Sequence, residues 1–332
     1  MNKNKFNKCL TFYKGKRILV TGGSGYIGTH LINILSDVDC EIIKLDNRIA
    51  MQSKKKRLAK IIDIIGDIRD KKTWNEIIEE IDVIFHFAAQ TSVYVADGNP
   101  VDDLNINVVP IINMLSTCKK KNTKPIILFS STVTTVGIPR SLPVNEAHSN
   151  NPISIYDLHK IIAENYLKYY SSQNVVNGII LRLANVYGPG PKSSSSDRGI
   201  LNLMIQKALN GETLTIFGEG NFLRDYIFIE DVAKAFLLAG VYSDNLGGRH
   251  FIIGSGHGTT IADTFNLVKE RVFFKTGKTV TISHIPPPQN QSPIDLRNFI
   301  ADSSNFKNIT GWHPEYNLKE GIDCTIEYFI KK

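Results

Sequence analysis

Arg17-Ile18-Leu19-Val20-Thr21-Gly22-Gly23-Ser24-Gly25-Tyr26-Ile27-Gly28 leads from a short apolar strand, through a turn rich in glycine, into the start of a helix. The spacing of Gly22, Gly25 and Gly28 predicts a dinucleotide-binding turn. Gly22 can take a tight backbone turn, Gly25 lets the backbone approach a pyrophosphate, and Gly28 lets the helix pack closely on the strand. The unpaired N–H groups and positive dipole end of the helix then hold the anion without a charged side chain. A plain strand-to-helix turn would carry the same glycines, so the next strand matters. Glu41-Ile42-Ile43-Lys44-Leu45 ends in Asp46, where a carboxylate can accept hydrogen bonds from an adenosine ribose.

At 332 residues and 42% hydrophobic content, the chain can bury a substantial core as one large domain or two closely joined ones. No apolar run approaches the roughly 18 residues of a membrane span, and Met1 to Lys16 lacks the apolar centre of a signal peptide. The expectation is a soluble, cytoplasmic protein with no membrane partner. Cys9, Cys40, Cys118 and Cys324 are scattered, with neither Cys-x-x-Cys spacing nor a histidine cluster, so neither a disulfide framework nor a metal site is expected. The net charge of +7 is spread along the chain, which argues against a nucleic-acid partner. The exception, Lys54-Lys55-Lys56-Arg57, reads as a solvated face or as a neighbour of the adenosine end.

Strand-length apolar runs recur at Arg17 to Thr21, Glu41 to Asp46, Ile61 to Gly66, Val83 to Phe87, Pro125 to Ser130 and Asn177 to Leu183. Helical patterns at Tyr26 to Ser36, Lys71 to Glu80, Asn105 to Lys119 and Ile155 to Tyr170 alternate with them. The alternation predicts an α/β fold: a doubly wound parallel sheet of Rossmann type, with a smaller C-terminal α/β substrate domain. Residues 14–188 would form the dinucleotide-binding domain and 225–253 would return to it. Residues 189–224 and 254–332 would bind the substrate. Asp225 to Phe228 and Arg249 to Ile253 are the candidate returning strands. Lys192 to Arg198 reads as a mobile loop, and Thr260-x-x-Asp263 as a cap opening a helix to about Lys275.

Tyr156 and Lys160 are four residues apart, hence on one helix face. A neighbouring ammonium favours the phenolate of a tyrosine whose reference pKa is ~10, so the pair can remove an alcohol proton while hydride leaves the same carbon. An exposed amphipathic helix with a packed tyrosine and a solvated lysine is the plainer alternative. The strand before it shifts the balance. Ile126-Ile127-Leu128-Phe129-Ser130-Ser131-Thr132 ends in hydroxyls where an open parallel sheet places its active site, and Thr132 can hydrogen-bond the reacting oxygen.

These residues resemble the extended short-chain dehydrogenase/reductase family, the NAD-dependent epimerases and dehydratases of nucleotide sugars, and above all its UDP-glucose 4-epimerase branch. The likeness runs from about Lys16 to Tyr328 and includes Gly66-Asp67-Ile68-Arg69-Asp70, His86-Phe87-Ala88-Ala89-Gln90, Asn107-Val108, Phe129 to Gly137, Leu181 to Pro189 and Arg224 to Val232. The resemblance implies a catalytic trio of Thr132, Tyr156 and Lys160. It implies NAD contacts from Gly22, Gly25, Tyr26, Ile27, Gly28, Asp46, Asn47, Arg48, Asp67, Ile68, Phe87, Ala88, Ala89, Gln90, Asn107, Ser130, Leu183 and Val186, besides Tyr156 and Lys160. A nucleotide-diphosphate sugar would meet Ser92, Thr132, Asn185, Thr215, Phe217, Arg224 and Arg297, and the protein would be a homodimer. Arg224 suits a diphosphate because a guanidinium offers a planar set of donors; a salt bridge to Asp225 or Glu230 is the structural alternative. His86, with no second ligand nearby in sequence, reads as structural.

Departures from the pattern narrow the chemistry. Dehydratases of this kind carry Asp-Glu after the catalytic threonine, whereas Val133-Thr134 follows here, which disfavours dehydration. Val136 stands where epimerases have tyrosine, Pro110 replaces a glycine and invites a kink, and Gln291 to Asp295 lacks the usual arginine, for which Arg297 can substitute. The leading expectation is an NAD-dependent nucleotide-sugar 4-epimerase passing through a 4-keto sugar. The main rival is a reductase of a nucleotide-linked 4-keto-6-deoxy sugar, and a non-catalytic dinucleotide sensor comes third. Asp46 favours NAD, while Arg48 and the Lys54 to Arg57 run leave NADP open.

Overall fold

The computed structural model describes residues 3–47, 57–191, 199–289 and 292–332. Arg48, Lys54 to Lys56, the Lys192 to Arg198 loop and Gln291 lie outside the described residues. The first elements are α1 (Lys3–Leu10), β1 (Arg17–Thr21), α2 (Tyr26–Leu35), β2 (Glu41–Asp46), β3 (Lys60–Ile65), α3 (Lys71–Ile77) and β4 (Val83–His86). There follow α4 (Val93–Gly98), α5 (Pro100–Asn107), α6 (Val109–Lys121), β5 (Ile126–Thr132), α7 (Ile155–Ser172) and β6 (Asn177–Leu183). Next come β7 (Asn185–Tyr187), α8 (Ile200–Leu209), β8 (Leu214–Phe217), β9 (Leu223–Phe228), α9 (Ile229–Val241) and α10 (Ser243–Leu246). The last are β10 (His250–Ile253), β11 (Gly258–Thr260), α11 (Ile261–Thr276), β12 (Ile282–Ile285), α12 (Ser304–Thr310) and α13 (Leu318–Ile330).

Seven strands form one sheet in the order β10-β6-β5-β4-β1-β2-β3. Every pairing in it is parallel. The chain starts at β1, winds outward to β3, then crosses to β4 and winds the other way, so the winding reverses between β1 and β4. Beyond the carboxyl ends of those strands lies the crevice that such a sheet offers a ligand. Alternation along β1 explains why the sheet is covered on both faces: Ile18 and Val20 enter one core cluster, Leu19 the other. A third cluster, with Tyr187, Met204, Phe228, Phe265 and Ile322, underlies the smaller mixed sheet region.

Two expectations about elements are corrected. The single helix read over Asn105 to Lys119 is two, α5 and α6, interrupted at Val108 (φ −113°). Pro110 sits in the first turn of α6, where its missing N–H costs nothing; inside a continuous helix it would delete a hydrogen bond and clash with the preceding turn. Of the two returning strands, only β10 joins the large sheet, beside β6. Asp225 to Phe228 belongs to β9, between β7 and β11 in a separate sheet of three strands. The buried Asp225 carboxylate holds it there by accepting the amides of Ser255, Gly256 and Ala301 at 2.7–3.0 Å. The capped helix appears as α11, with Thr260 accepting the Asp263 amide at 3.0 Å.

Candidate active site

The glycine turn sits at the crevice because nothing larger fits there. Gly22 has φ +66°, and a Cβ on it would lie 2.7 Å from the Ala88 nitrogen. Its lack of a side chain thus lets the turn and the Phe87-Ala88-Ala89 segment after β4 approach each other. A Cβ on Gly28 would lie 2.5 Å from the Gly22 carbonyl oxygen, so this glycine lets α2 start directly against the turn. The Gly25 amide closes the turn on the Gly22 carbonyl at 2.9 Å. Bare backbone and a helix start at the winding reversal are what a dinucleotide pyrophosphate requires.

The flanking residues divide between the crevice and its scaffold. Asp46 ends β2 with its carboxylate accepting the Ser24 amide at 2.9 Å, beside the turn, and Asn47 follows it exposed. The Asp67 carboxylate is engaged by the amide and guanidinium of Arg69, which hold it below its usual range, and the Ile68 carbonyl accepts the Trp74 indole N–H at 2.7 Å. Tyr26 and Ile27 open α2. The Tyr26 hydroxyl donates to the Gly188 carbonyl at 2.6 Å and accepts from Asn202 at 3.1 Å, and Ile27 packs against the core. Leu183 is buried at the end of β6, and Val186 is half-buried in β7. His86 is a structural, neutral histidine: burial and then the Lys160 charge push it down to about 3. The Thr21 hydroxyl accepts the Phe87 and Ala88 amides, so its own hydrogen points to His86 Nδ1 at 2.9 Å.

The catalytic candidates meet at the carboxyl end of β5. Ser154 caps α7 by accepting the Asp157 amide at 3.2 Å, which fixes Tyr156 and Lys160 in its first turns. Both are buried, and the Lys160 ammonium lies 5.8 Å from the centre of the Tyr156 ring, 4.9 Å from that of Phe129 and 3.2 Å from the Ser130 carbonyl oxygen. Thr132 is the last residue of β5. Its hydroxyl oxygen accepts the Thr134 amide at 3.2 Å and lies 2.9 Å from the Thr134 hydroxyl. With an acceptor position of Thr132 taken by the amide, its O–H can be donated outward.

Several of the residues expected to meet a nucleotide sugar are engaged by the protein itself. Asn185 opens β7, while Thr215 and the half-exposed Phe217 lie on β8, which pairs with β12. Arg224 makes neither of the salt bridges considered for it. Its guanidinium donates to the carbonyls of Leu223, Asp295 and Arg297, so this buried cation ties β9 to the C-terminal segment. Arg297 is buried over Phe299. Ser92 is buried as the cap of α4, where its hydroxyl accepts the Val95 amide at 3.2 Å. No group of three or more potential metal ligands occurs among the described residues. None of the described helices is long and apolar enough to cross a membrane.

Residues 18–254 match the NAD dependent epimerase/dehydratase family. The chain belongs to that family. A solved UDP-glucose 4-epimerase of Thermotoga maritima, in complex with UDP-glucose, superposes with a TM-score of 0.83 at 32% identity, covering 95% of this chain and 99% of that one. A UDP-glucose 4-epimerase of Mycolicibacterium smegmatis is 30% identical over 95% of this chain and 99% of its own length. UDP-glucuronic acid decarboxylase 6 of Arabidopsis thaliana is likewise 30% identical, over 96% of this chain and 90% of its own length. In this epimerase/dehydratase chain, a seven-stranded parallel sheet carries the glycine turn.

Several residues that build the site carried no local sequence signal. Glu164, one turn beyond Lys160, accepts Ser131 at 2.6 Å and both arms of Arg182 at 2.9 and 2.6 Å, bolting α7 to β5 and β6. Burial raises the Glu164 carboxyl, but the Arg182 hydrogen bonds and charge, with Ser131, outweigh it and leave it below its usual range. The hint lay in Arg182, a cation inside an apolar strand, since a buried cation needs a partner. On the other side of α7, buried His159 meets Asp103 at 2.6 Å, and Asp103 also accepts from Gln90 at 2.7 Å and Asn107 at 2.9 Å. Gln90 and Asn107 therefore brace the loop along the crevice. Asp157 is wholly buried, and that burial raises its carboxyl, offset in part by the nearby Thr134 and Ser154 hydroxyls and the charge of Arg297.

Proposed function

We propose that this family member is a nucleotide-sugar 4-epimerase that works through a transient 4-keto sugar, with UDP-hexoses as the first substrates to test. The observation that carries the reading is Tyr156 and Lys160 in the first turns of α7, with the Lys160 ammonium 3.2 Å from the Ser130 carbonyl oxygen on the strand that Thr132 ends, and no carboxylate at Val133 or Thr134. Bound NAD would accept the hydride and return it, and its oxidised ring would add positive charge near the phenol. Gly22, Gly25 and Gly28 would hold the pyrophosphate, Asp46 the adenosine ribose and Lys160 the nicotinamide ribose. Tyr156 would take the 4-hydroxyl proton and give it back after the keto sugar has presented its other face. The Lys160 ammonium, 5.8 Å from the centre of the Tyr156 ring, would support that role, because a nearby cation favours the charged form of a tyrosine. Thr132 would donate its hydroxyl to the same sugar oxygen. Asn185, Thr215, Phe217, Arg224 and Arg297 form the proposed nucleotide-sugar side.

The division into a cofactor unit of residues 14–188 with 225–253 and a substrate unit of 189–224 with 254–332 stays a proposal, with 225–228 moved to the smaller sheet that β9 forms with β7 and β11. A homodimer is part of the same reading, and the exposed Val95, Val101, Leu104, Leu158 and Tyr169 on α4, α5 and α7 support it. The decisive test follows the hydride. Purified protein with catalytic or copurified NAD should interconvert a 4-hydroxy UDP-sugar and its C4 epimer with no lasting change in NADH absorbance. Stoichiometric oxidation of NADH or NADPH by a 4-keto-6-deoxy sugar nucleotide, without epimer formation, would assign the reductase instead. Carbon dioxide release from UDP-glucuronic acid would assign a decarboxylase.

A further inference from the structure

Asp46 shares its side of β2 with a cation. Residues i and i+2 of a strand lie on one face, about 6.6 Å apart, which puts Lys44 on the Asp46 side and, in register, opposite Asp63 of β3. The Lys44 stem runs beneath the glycine turn, so close that a Cβ on Gly23 would lie 2.5 Å from Lys44 Cγ. Its ammonium lies 3.1 Å from Asp63 Oδ1, and the two side chains are only 11% and 21% exposed. Asp46 points into the turn, accepting the Ser24 amide. A lysine stem in this position is long enough to serve either carboxylate, and Asp63 has it.

We propose that Asp63 is a specificity-determining residue for the cofactor, acting by holding Lys44 away from Asp46. The proposal rests on the reading of Asp46 as the carboxylate that faces the adenosine ribose. A carboxylate with no cation at hand accepts ribose hydroxyls and repels a 2′-phosphate. Paired with an ammonium it does both less well, because the opposite charge offsets its field and competes for its lone pairs. Asp63 thus keeps a cation that packs under the turn from undoing the discrimination made above it.

The test is the ratio of NADP to NAD dissociation constants, measured by calorimetry at fixed low salt on the full chain. Asp63→Asn should lower that ratio roughly fivefold, the scale of one partly screened charge pair. Lys44→Met should hold it within about twofold of the parent, and adding Lys44→Met to Asp63→Asn should restore it. The restored double variant also guards against a fold defect as the cause. Two results would overturn the proposal: an unchanged ratio in Asp63→Asn, or an equal loss in the single and double variants. Asp46→Ala separates the layers. If it collapses the ratio while Asp63→Asn does not, Asp46 reads the ribose and the Asp63 proposal alone is wrong; if it changes nothing, the reading of Asp46 falls and the proposal with it.

Discussion

The two sides of the crevice are built in different ways. On the side proposed for the cofactor, the turn is bare backbone at Gly22, Gly25 and Gly28, and α7 is bolted from within by Glu164, Arg182 and Ser131. On the side proposed for the nucleotide sugar, the C-terminal segment is tied down by the exposed Tyr94, which donates to Asp295 at 2.7 Å, and by the buried Arg224, which donates to the Asp295 and Arg297 carbonyls. A buried ionic bolt cannot be half undone without leaving a charge in a dry interior, whereas a latch near water can open and be resolvated. Under the proposed function, the buried bolt would hold the chemistry rigid while the exposed Tyr94 latch would leave the grip on a nucleotide sugar adjustable.

The sharpest way to break this comparison is at the bolt. Glu164→Ala leaves Arg182 buried without its counter-charge and should cost ~3–5 kcal/mol of stability in urea unfolding. A Glu164→Leu, Arg182→Met pair should recover most of that loss, because both buried charges then go together. A cost below about 1 kcal/mol for Glu164→Ala would mean that the helix does not depend on the ion pair. The second effect is chemical. Tyr156→Phe keeps the ring packed and removes only the phenol oxygen, so turnover should fall at least ~100-fold while calorimetric NAD affinity stays nearly constant. Near-normal turnover would remove Tyr156 from the acid–base role.

The same contrast explains what could be read in the sequence. The fold was legible because strand and helix periods alternate cleanly through Leu183, and the turn because only glycine fits its backbone. Tyr156 and Lys160 were legible as neighbours because one helix face carries both, and Thr132 as the residue that ends β5. Asp103 with His159, and Glu164 with Arg182, were not, since each pair joins elements 18 or more positions apart. The substrate side was least legible. Arg224 was read as a free cation for a diphosphate or a partner for Asp225 or Glu230, yet its guanidinium donates to carbonyls more than 70 positions away. Pro110 was read as a kink within one helix, whereas α5 ends at Asn107 and Pro110 lies in the first turn of a separate α6.

A pH series sharpens the comparison within the cofactor side. His86 is held neutral, with its pKa at about 3 in the folded chain, against an ordinary value of ~6.5 in the unfolded one. Below pH ~6.5 the unfolded chain binds a proton that the folded chain does not, so stability falls as pH drops, by ~1.4 kcal/mol per unit for this one group, until the folded value is reached. His86→Gln should therefore unfold with a shallower loss between pH 6.5 and 4.5 than the parent. Parallel profiles by chemical denaturation at several pH values would mean that His86 already titrates normally in the fold.

The smallest expected effect lies at the substrate latch, and it tests whether that side is adjustable. Tyr94 is 42% exposed, and its hydroxyl both donates to Asp295 and accepts the Ser292 amide at 3.3 Å. Tyr94→Phe keeps the ring but releases the segment whose carbonyls hold Arg224. An accessible hydrogen bond of this kind is worth ~1 kcal/mol, so KM for the nucleotide sugar should rise about fivefold. Turnover at saturation and NAD affinity should stay within about twofold, because Tyr156, Lys160 and the glycine turn are braced by other elements. A fall in kcat equal to the fall in kcat/KM would show that the latch supports the reacting atoms themselves, and the two sides would then be one rigid unit. A fall in KM would show the reverse, that the latch closes the site and the substrate must first open it.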